Sequence, residues 1–151
     1  MSRGGAKITM TLKGGDELKV KLQEMGSAAK GILVESVEKG AKVLADDIRS
    51  RAPGPEIGVE VVKASKYAAT ANVGPDKSHW YYRFFETGVQ PHTITGPLAF
   101  QGRDGEVVIG GVDHPGMAAR PFMRPAFDSK QDRARDVLGQ TLRDELLRRA
   151  R

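Results

Sequence analysis

AAKGILVESVEKGAKVLADDIRSR, residues 28–51, sets Ala29, Ile32, Leu33, Val37, Gly40, Val43, Leu44 and Ile48 at steps of three and four. That spacing is one face of an α-helix of about seven turns. Glu35 with Lys39 and Glu38 with Lys42 stand four apart on the opposite face, spaced for ion pairing in water. Pro53 ends the segment, because the residue before a proline is pushed out of the helical region. A helix this long with one apolar face needs other elements to cover it, and the flanking sequence supplies them.

Upstream, KITMTL at 7–12 alternates, with Ile8, Met10 and Leu12 on one side, which predicts a strand with one buried face. Gly14 and Gly15 break it. Asp16 is a fair N-cap for a short helix carrying Leu18, Leu22 and Met25, interrupted at Gly26. Downstream, Ile57, Val59 and Val61 alternate, as do Ala69, Ala71 and Val73 beyond a polar turn at 63–66, so a β-hairpin is expected. WYYRFFETG at 80–88 reads as a short helix or turn closed by Gly88. Residues 89–113 form a Pro/Gly-rich excursion in which LAFQ and EVVI flank GRDG. Asp104-Gly105 is a hairpin signal there, so a projecting β-arm carrying Phe100, Arg103, Asp104, Val107 and Ile109 is expected. From about 121 to 150 an apolar stripe of Phe127, Ala134, Val137, Leu138, Leu142 and Leu146 predicts a second long helix. Pro121 or Pro125 fits its first turn, and Gly139 is a weak spot in it.

These elements amount to an α+β fold in a single domain over 1–151, with the long helix of the N-terminal half and the C-terminal helix packed on one face of a mostly antiparallel sheet. The arm is 89–113, and 143–151 forms a basic C-terminal end. The 151 residues suffice for one core. Cysteine is absent, which excludes disulfides, thiolate metal sites and cysteine nucleophiles and agrees with assembly in a reducing cytoplasm. No run approaches the roughly 18 apolar residues of a membrane span. MSRGGAKITM lacks an apolar signal core, so neither membrane nor secretion is expected.

The formal net charge of +5 invites a nucleic-acid reading. Acidic residues are mixed with the basic ones along both long helices, however, and a solvated face accounts for that mixing better than a groove binder does. His79, His92 and His114 show neither zinc-pair spacing nor a triad context, and no phosphate-cradling loop is present. Glu86 beside the aromatics has no second acid-base group. No catalytic residue, cofactor or metal is therefore expected. In WYYRFFETG, aromatics interleaved with Arg83 could stack on bases. Core anchoring by Trp80, Phe84 and the neighbouring Tyr81 or Phe85, which fall on helical spacing, is the stronger reading. Arg83 and Glu86 are spaced to pair with each other or across a subunit boundary.

The last odd stretch is HPGMAARPFMRPAF at 114–127, with three prolines, a glycine, two arginines and two phenylalanines. Together, VGPDKSHWYYRFFETGV and HPGMAARPFMRPAF resemble a family of small neck and tail-completion proteins of long-tailed double-stranded DNA phages. Some of its members are labelled minor tail or head-to-tail joining proteins. Trp80, Tyr81, Phe84, Glu86 and Gly88 match its aromatic helix ending in Glu-x-Gly. Ala119, Pro121, Phe122, Arg124, Pro125 and Ala126 match its Pro-Phe-x-Arg-Pro-Ala helix start. IRSRAPGP is similar to its amphipathic helix running into Ala-Pro.

The resemblance implies a structural virion protein of the neck, assembled in the host cytoplasm. It would complete or terminate the tail tube and help join tail to head, as a ring matched six-fold to the tail. The implied partners are further copies of the chain, the tail tube protein and the head-closure or connector proteins, with passing contact to packaged DNA. A ring subunit needs a rigid corner, and the expected contact residues are Arg83, Glu86, His114, Pro115, Arg120, Pro121, Phe122, Met123, Arg124 and Pro125. For Phe122, packing beneath the last helix of its own chain is an equal alternative. The rival class is a small basic nucleic-acid-binding protein using Arg83, the 80–85 aromatics and the basic C-terminus.

Overall fold

A computed structural model of the chain describes residues 7–13, 16, 20, 23–26 and 28–149. The short helix expected on Asp16, Leu18 and Leu22, with its Gly14-Gly15 break, lies largely outside them. The described elements are β1 (Ile8–Lys13), α1 (Ala28–Arg51), β2 (Ile57–Ala64), β3 (Ala68–Pro75), a 3-10 turn (Lys77–His79), α2 (Tyr82–Thr87), β4 (His92–Gly102), β5 (Gly105–His114) and α3 (Met123–Arg149). The fold is α+β.

β1, β3 and β2 form an antiparallel sheet in that spatial order. Period-two alternation gives it one buried face, where Ala69, Ala71 and Val73 of the central strand are fully covered. Its outer face is polar: the Thr9 hydroxyl donates to Asn72 Oδ1 at 2.8 Å, and Thr11 pairs with Thr70 at 3.0 Å. β2 and β3 run longer than the alternating residues predict. The polar turn shrinks to residues 65–67, where the Ser65 hydroxyl oxygen accepts the N–H groups of Tyr67 and Ala68. The register shifts between Val61 and Lys63, so Val62 is the extra residue of a bulge and turns outward.

α1 lies across the buried face of the sheet, and α3 lies along α1. Covered from two sides, α1 buries a wide arc that includes Ser36, whose hydroxyl donates to its own helix at the Ile32 carbonyl, 2.8 Å away. At Gly40 the two long helices are in close contact. A Cβ there would stand 2.9 Å from the Ala134 carbonyl oxygen and 3.0 Å from Leu138 Cβ. The end of α1 is tied to the sheet by Arg49, whose Nη2 donates to the Ile57 carbonyl at 2.7 Å.

Among the described residues β4 and β5 pair only with each other, over nearly their full length, through the two-residue loop Arg103-Asp104. Their register breaks between Thr95 and Leu98, around Pro97, which has no N–H to give a ladder. This ribbon makes no more than passing contact with the other described elements.

Candidate functional site: the capped corner and its arm

α2 is short, and Tyr82 is its inward residue. Tyr82 is 4% exposed and sets its ring edge-on to Phe122, with centroids 6.2 Å apart. Its hydroxyl donates to Glu56 Oε2 at 2.6 Å. That bond holds the Glu56 carboxyl below its ordinary range and, with burial, pushes the Tyr82 phenol up to about 12. One turn further along, Glu86 reaches the start of α3. Its Oε2 accepts the backbone N–H groups of Phe122 at 2.8 Å and Met123 at 2.9 Å, and its Oε1 accepts that of Arg124 at 3.0 Å.

A helix start leaves its first N–H groups without intrahelical partners. A carboxylate placed there satisfies them and meets the positive end of the helix dipole. Here the capping residue comes from 36 to 38 positions upstream. Pro121 and Pro125 bracket these three donors and need no acceptor of their own. Gly88 completes the joint. It has φ +73°, and its N–H donates to the Phe84 carbonyl at 2.8 Å. A Cβ on it would stand 2.9 Å from both Ala119 N and the Met117 carbonyl oxygen. Beside it, Val89 and Met117 exchange two backbone bonds of 2.8 Å, and the Arg120 N–H donates to the Phe85 carbonyl at 2.7 Å. The two unusual stretches of the sequence are thus one joint, and the arm is rooted in it.

Several expected roles change. Trp80 and Tyr81 are 43% and 41% exposed and are not the anchors; Tyr82 is. α2 begins only at Tyr82, so 80 and 81 sit in the preceding turn and escape the inward face. Phe84 is half-buried and meets Trp80 edge-on at 5.6 Å. Phe122 is 2% exposed and Met123 is likewise buried, so neither presents a free contact surface; both belong to the chain's own core. Glu86 also turns inward, because its oxygens are occupied by the three N–H groups. Arg83 does not pair with it but lies over the Phe84 ring at 4.7 Å and the Trp80 ring at 5.4 Å.

His114, Pro115, Arg120, Pro121 and Arg124 stay exposed, while Pro125 is partly buried. At the arm's root His114 stacks on His92, 5.1 Å between centroids, and its Nδ1 accepts the Gly116 N–H at 3.0 Å. Along the arm Phe100 and Val107 are exposed opposite each other, and Ile109 is half-covered. Val108, 60% exposed, and Val112 were not singled out by the sequence. Nothing in the sequence spacing pointed to the Tyr82–Glu56 bond.

Asp76, Ser78 and His79 come together before α2. The Ser78 hydroxyl donates to Asp76 Oδ1 at 2.6 Å, and the same oxygen accepts the His79 N–H at 3.0 Å and faces His79 Nδ1 at 2.7 Å. Ser78 Oγ also lies 3.2 Å from His79 Nδ1, and the trio caps the turn before α2. Ser78 first, then His79, hold the Asp76 carboxyl down to about 2 from the ordinary 3.8. A carboxyl lowered in the fold contributes stability above its unfolded value that is lost as pH falls through the folded one. Asp76→Asn is therefore expected to lower the urea midpoint at pH 7 and to flatten its decline between about pH 4 and about pH 2. An unchanged acid limb would contradict this. Tyr82 acts with the opposite sign, and its contribution is lost as pH rises from 10 through about 12.

Among the described residues no cluster of three His, Cys, Asp or Glu is placed to hold a metal ion, and no helix is long and apolar enough to cross a membrane. No family model, curated protein or solved structure matches the chain.

Proposed function

We propose that the chain is a structural virion protein of the phage neck, which completes or terminates the tail tube and helps join tail to head as a ring of identical subunits. The observation that carries this reading is the joint itself. The two motifs on which the resemblance rests, Glu-x-Gly at 86–88 and Pro-Phe-Met-Arg-Pro-Ala at 121–126, meet through three backbone bonds to one carboxylate. A mechanical purpose suits this geometry. The joint fixes the direction of an arm that projects with its valines and Phe100 in solvent. A subunit whose contacts are held rigid before docking loses less freedom on assembly.

Deleting residues 96–110 is expected to leave a monomer that melts cooperatively but no longer assembles onto tails, read by electron microscopy of tails after incubation. An arm-deleted protein that still completes tails would overturn the arm's role.

The exposure of Trp80 and Tyr81 beside Arg83 favours a second reading, in which this patch stacks on nucleic-acid bases. Binding to a DNA duplex or single strand that falls steeply with salt would put this reading first.

A further inference from the structure

We infer that the distal half of the arm docks on the Trp80–Arg120 corner of a second copy of this chain, so that identical subunits join head to tail. This rests on the self-assembling part of the reading above. The first ground is charge. Residues 92–114 contain Arg103 against Asp104, Glu106 and Asp113, a net −2 in a chain of net +5, which leaves +7 on the remainder. Among the described residues Asp104 and Glu106 enter no ion pair, and Asp113 is held only by the Thr93 hydroxyl. The corner is the chemical complement. Its own carboxylates, Asp76 and Glu86, are spent on turn and helix caps. Arg83, Arg120 and Arg124 meet no carboxylate among the described residues, as is also true of Arg103, Arg133 and Arg143, whereas Arg49, Arg51, Arg135, Arg148 and Arg149 do; the corner differs in bringing three such arginines together where the nearby carboxylates are already spent.

The second ground is apolar surface. A lone two-stranded ribbon is marginal in water. This one carries exposed side chains on both faces, Phe100 and Val107 on one and Val108 and Val112 on the other. The corner offers Trp80 and Tyr81, aromatic anchors of the kind that dominate interface energetics when covered. The third ground is reach. The arm is rooted at the Val89–Met117 bridge, three residues from Arg120, while its tip lies about ten residues out, roughly 30 Å at strand rise. The tip therefore projects far from its own corner and can meet that of a neighbour. Such a contact is heterologous, and its repetition closes a ring when the rotation allows.

The chain has no cysteine, so introduced thiols report cleanly. The test mixes a Val107→Cys protein with a Tyr81→Cys protein under mild oxidation, after cooperative melting has shown both to be folded. Leu147→Cys on α3, more exposed than Tyr81 at 59% against 41% and so no less accessible to oxidation, serves as the control partner in place of Tyr81→Cys. The Val107–Tyr81 disulfide is expected to form at least about tenfold faster than the control, from the raised effective concentration at a docked site. The Val107→Cys/Tyr81→Cys double variant is expected to give a ladder of linked subunits. Equal rates for the two pairs would overturn the inference, and so would an intrachain disulfide in the double variant. Asp104→Lys/Glu106→Lys should abolish the rate advantage, and pairing it with Arg83→Glu/Arg120→Glu should restore it. If the ladder forms but the protein never joins tails, the neck reading falls and this interface stands; tails completed without the ladder would mean the reverse.

Discussion

Glu86→Ala is expected to destabilise the protein by about 3 kcal/mol, beyond the usual range of roughly 0.5–2 kcal/mol for losing a helix cap. An ordinary cap satisfies one or two N–H groups from the adjoining residue. Glu86 satisfies three, and the links it makes join segments more than thirty residues apart. Its removal leaves the N–H groups of the buried Phe122 and Met123 with no acceptor. The damage should be local at first. α3 would fray at its start, Tyr82 would lose the fixed edge of Phe122, and the arm's root would loosen. Urea unfolding gives the total, and amide exchange at 122–124 locates it. Glu86→Gln should recover part of the loss, since an amide oxygen still accepts but carries no charge against the helix dipole. A loss below about 0.5 kcal/mol for the alanine variant would mean that water replaces the carboxylate and that the joint is not rigid.

The second large effect has a sign that depends on place. Replacing glycine by alanine inside a helix ordinarily stabilises by up to about 1 kcal/mol. At Gly139, with no described atom within 4 Å of a new Cβ, that gain is expected. At Gly40 the new methyl would stand 2.9 Å from the Ala134 carbonyl oxygen, a backbone atom that moves only if α3 moves. Gly40→Ala should therefore cost about 2 kcal/mol, in the range of core overpacking, with the larger Gly40→Val worse still. Paired urea titrations of Gly40→Ala and Gly139→Ala are expected to shift in opposite directions. If both stabilise, the two long helices are not held at the separation described.

Gly40 also shows what the sequence could disclose. Its place on the apolar face of residues 28–51 was readable from periodicity, because a helix face repeats at three and four. That it marks a close approach of two helices was not, since the partner lies almost a hundred residues away. The elements were legible on the same principle: alternation gave β1, β2 and β3, and Asp104-Gly105 gave the hairpin. The bulge at Val62 and the full length of the strands depended on pairing, which periodicity does not encode. The corner was half legible. Its residues stood out by composition, yet their roles were inverted in part. Trp80 and Tyr81 were assigned inward because α2 was counted from residue 80, and its first helical residue is Tyr82. Glu86 looked outward as a charge beside aromatics. The three N–H groups that claim it belong to another segment, and only the fold brings them within 3.0 Å.

Self-assembly of the intact chain is read by light scattering after size exclusion, at physiological salt with and without a DNA duplex. A ring-forming neck subunit is expected to show a mass of several subunits that does not depend on DNA and that falls to one subunit when residues 96–110 are deleted. A monomer at every concentration, or a mass gained only when DNA is present, would contradict this expectation.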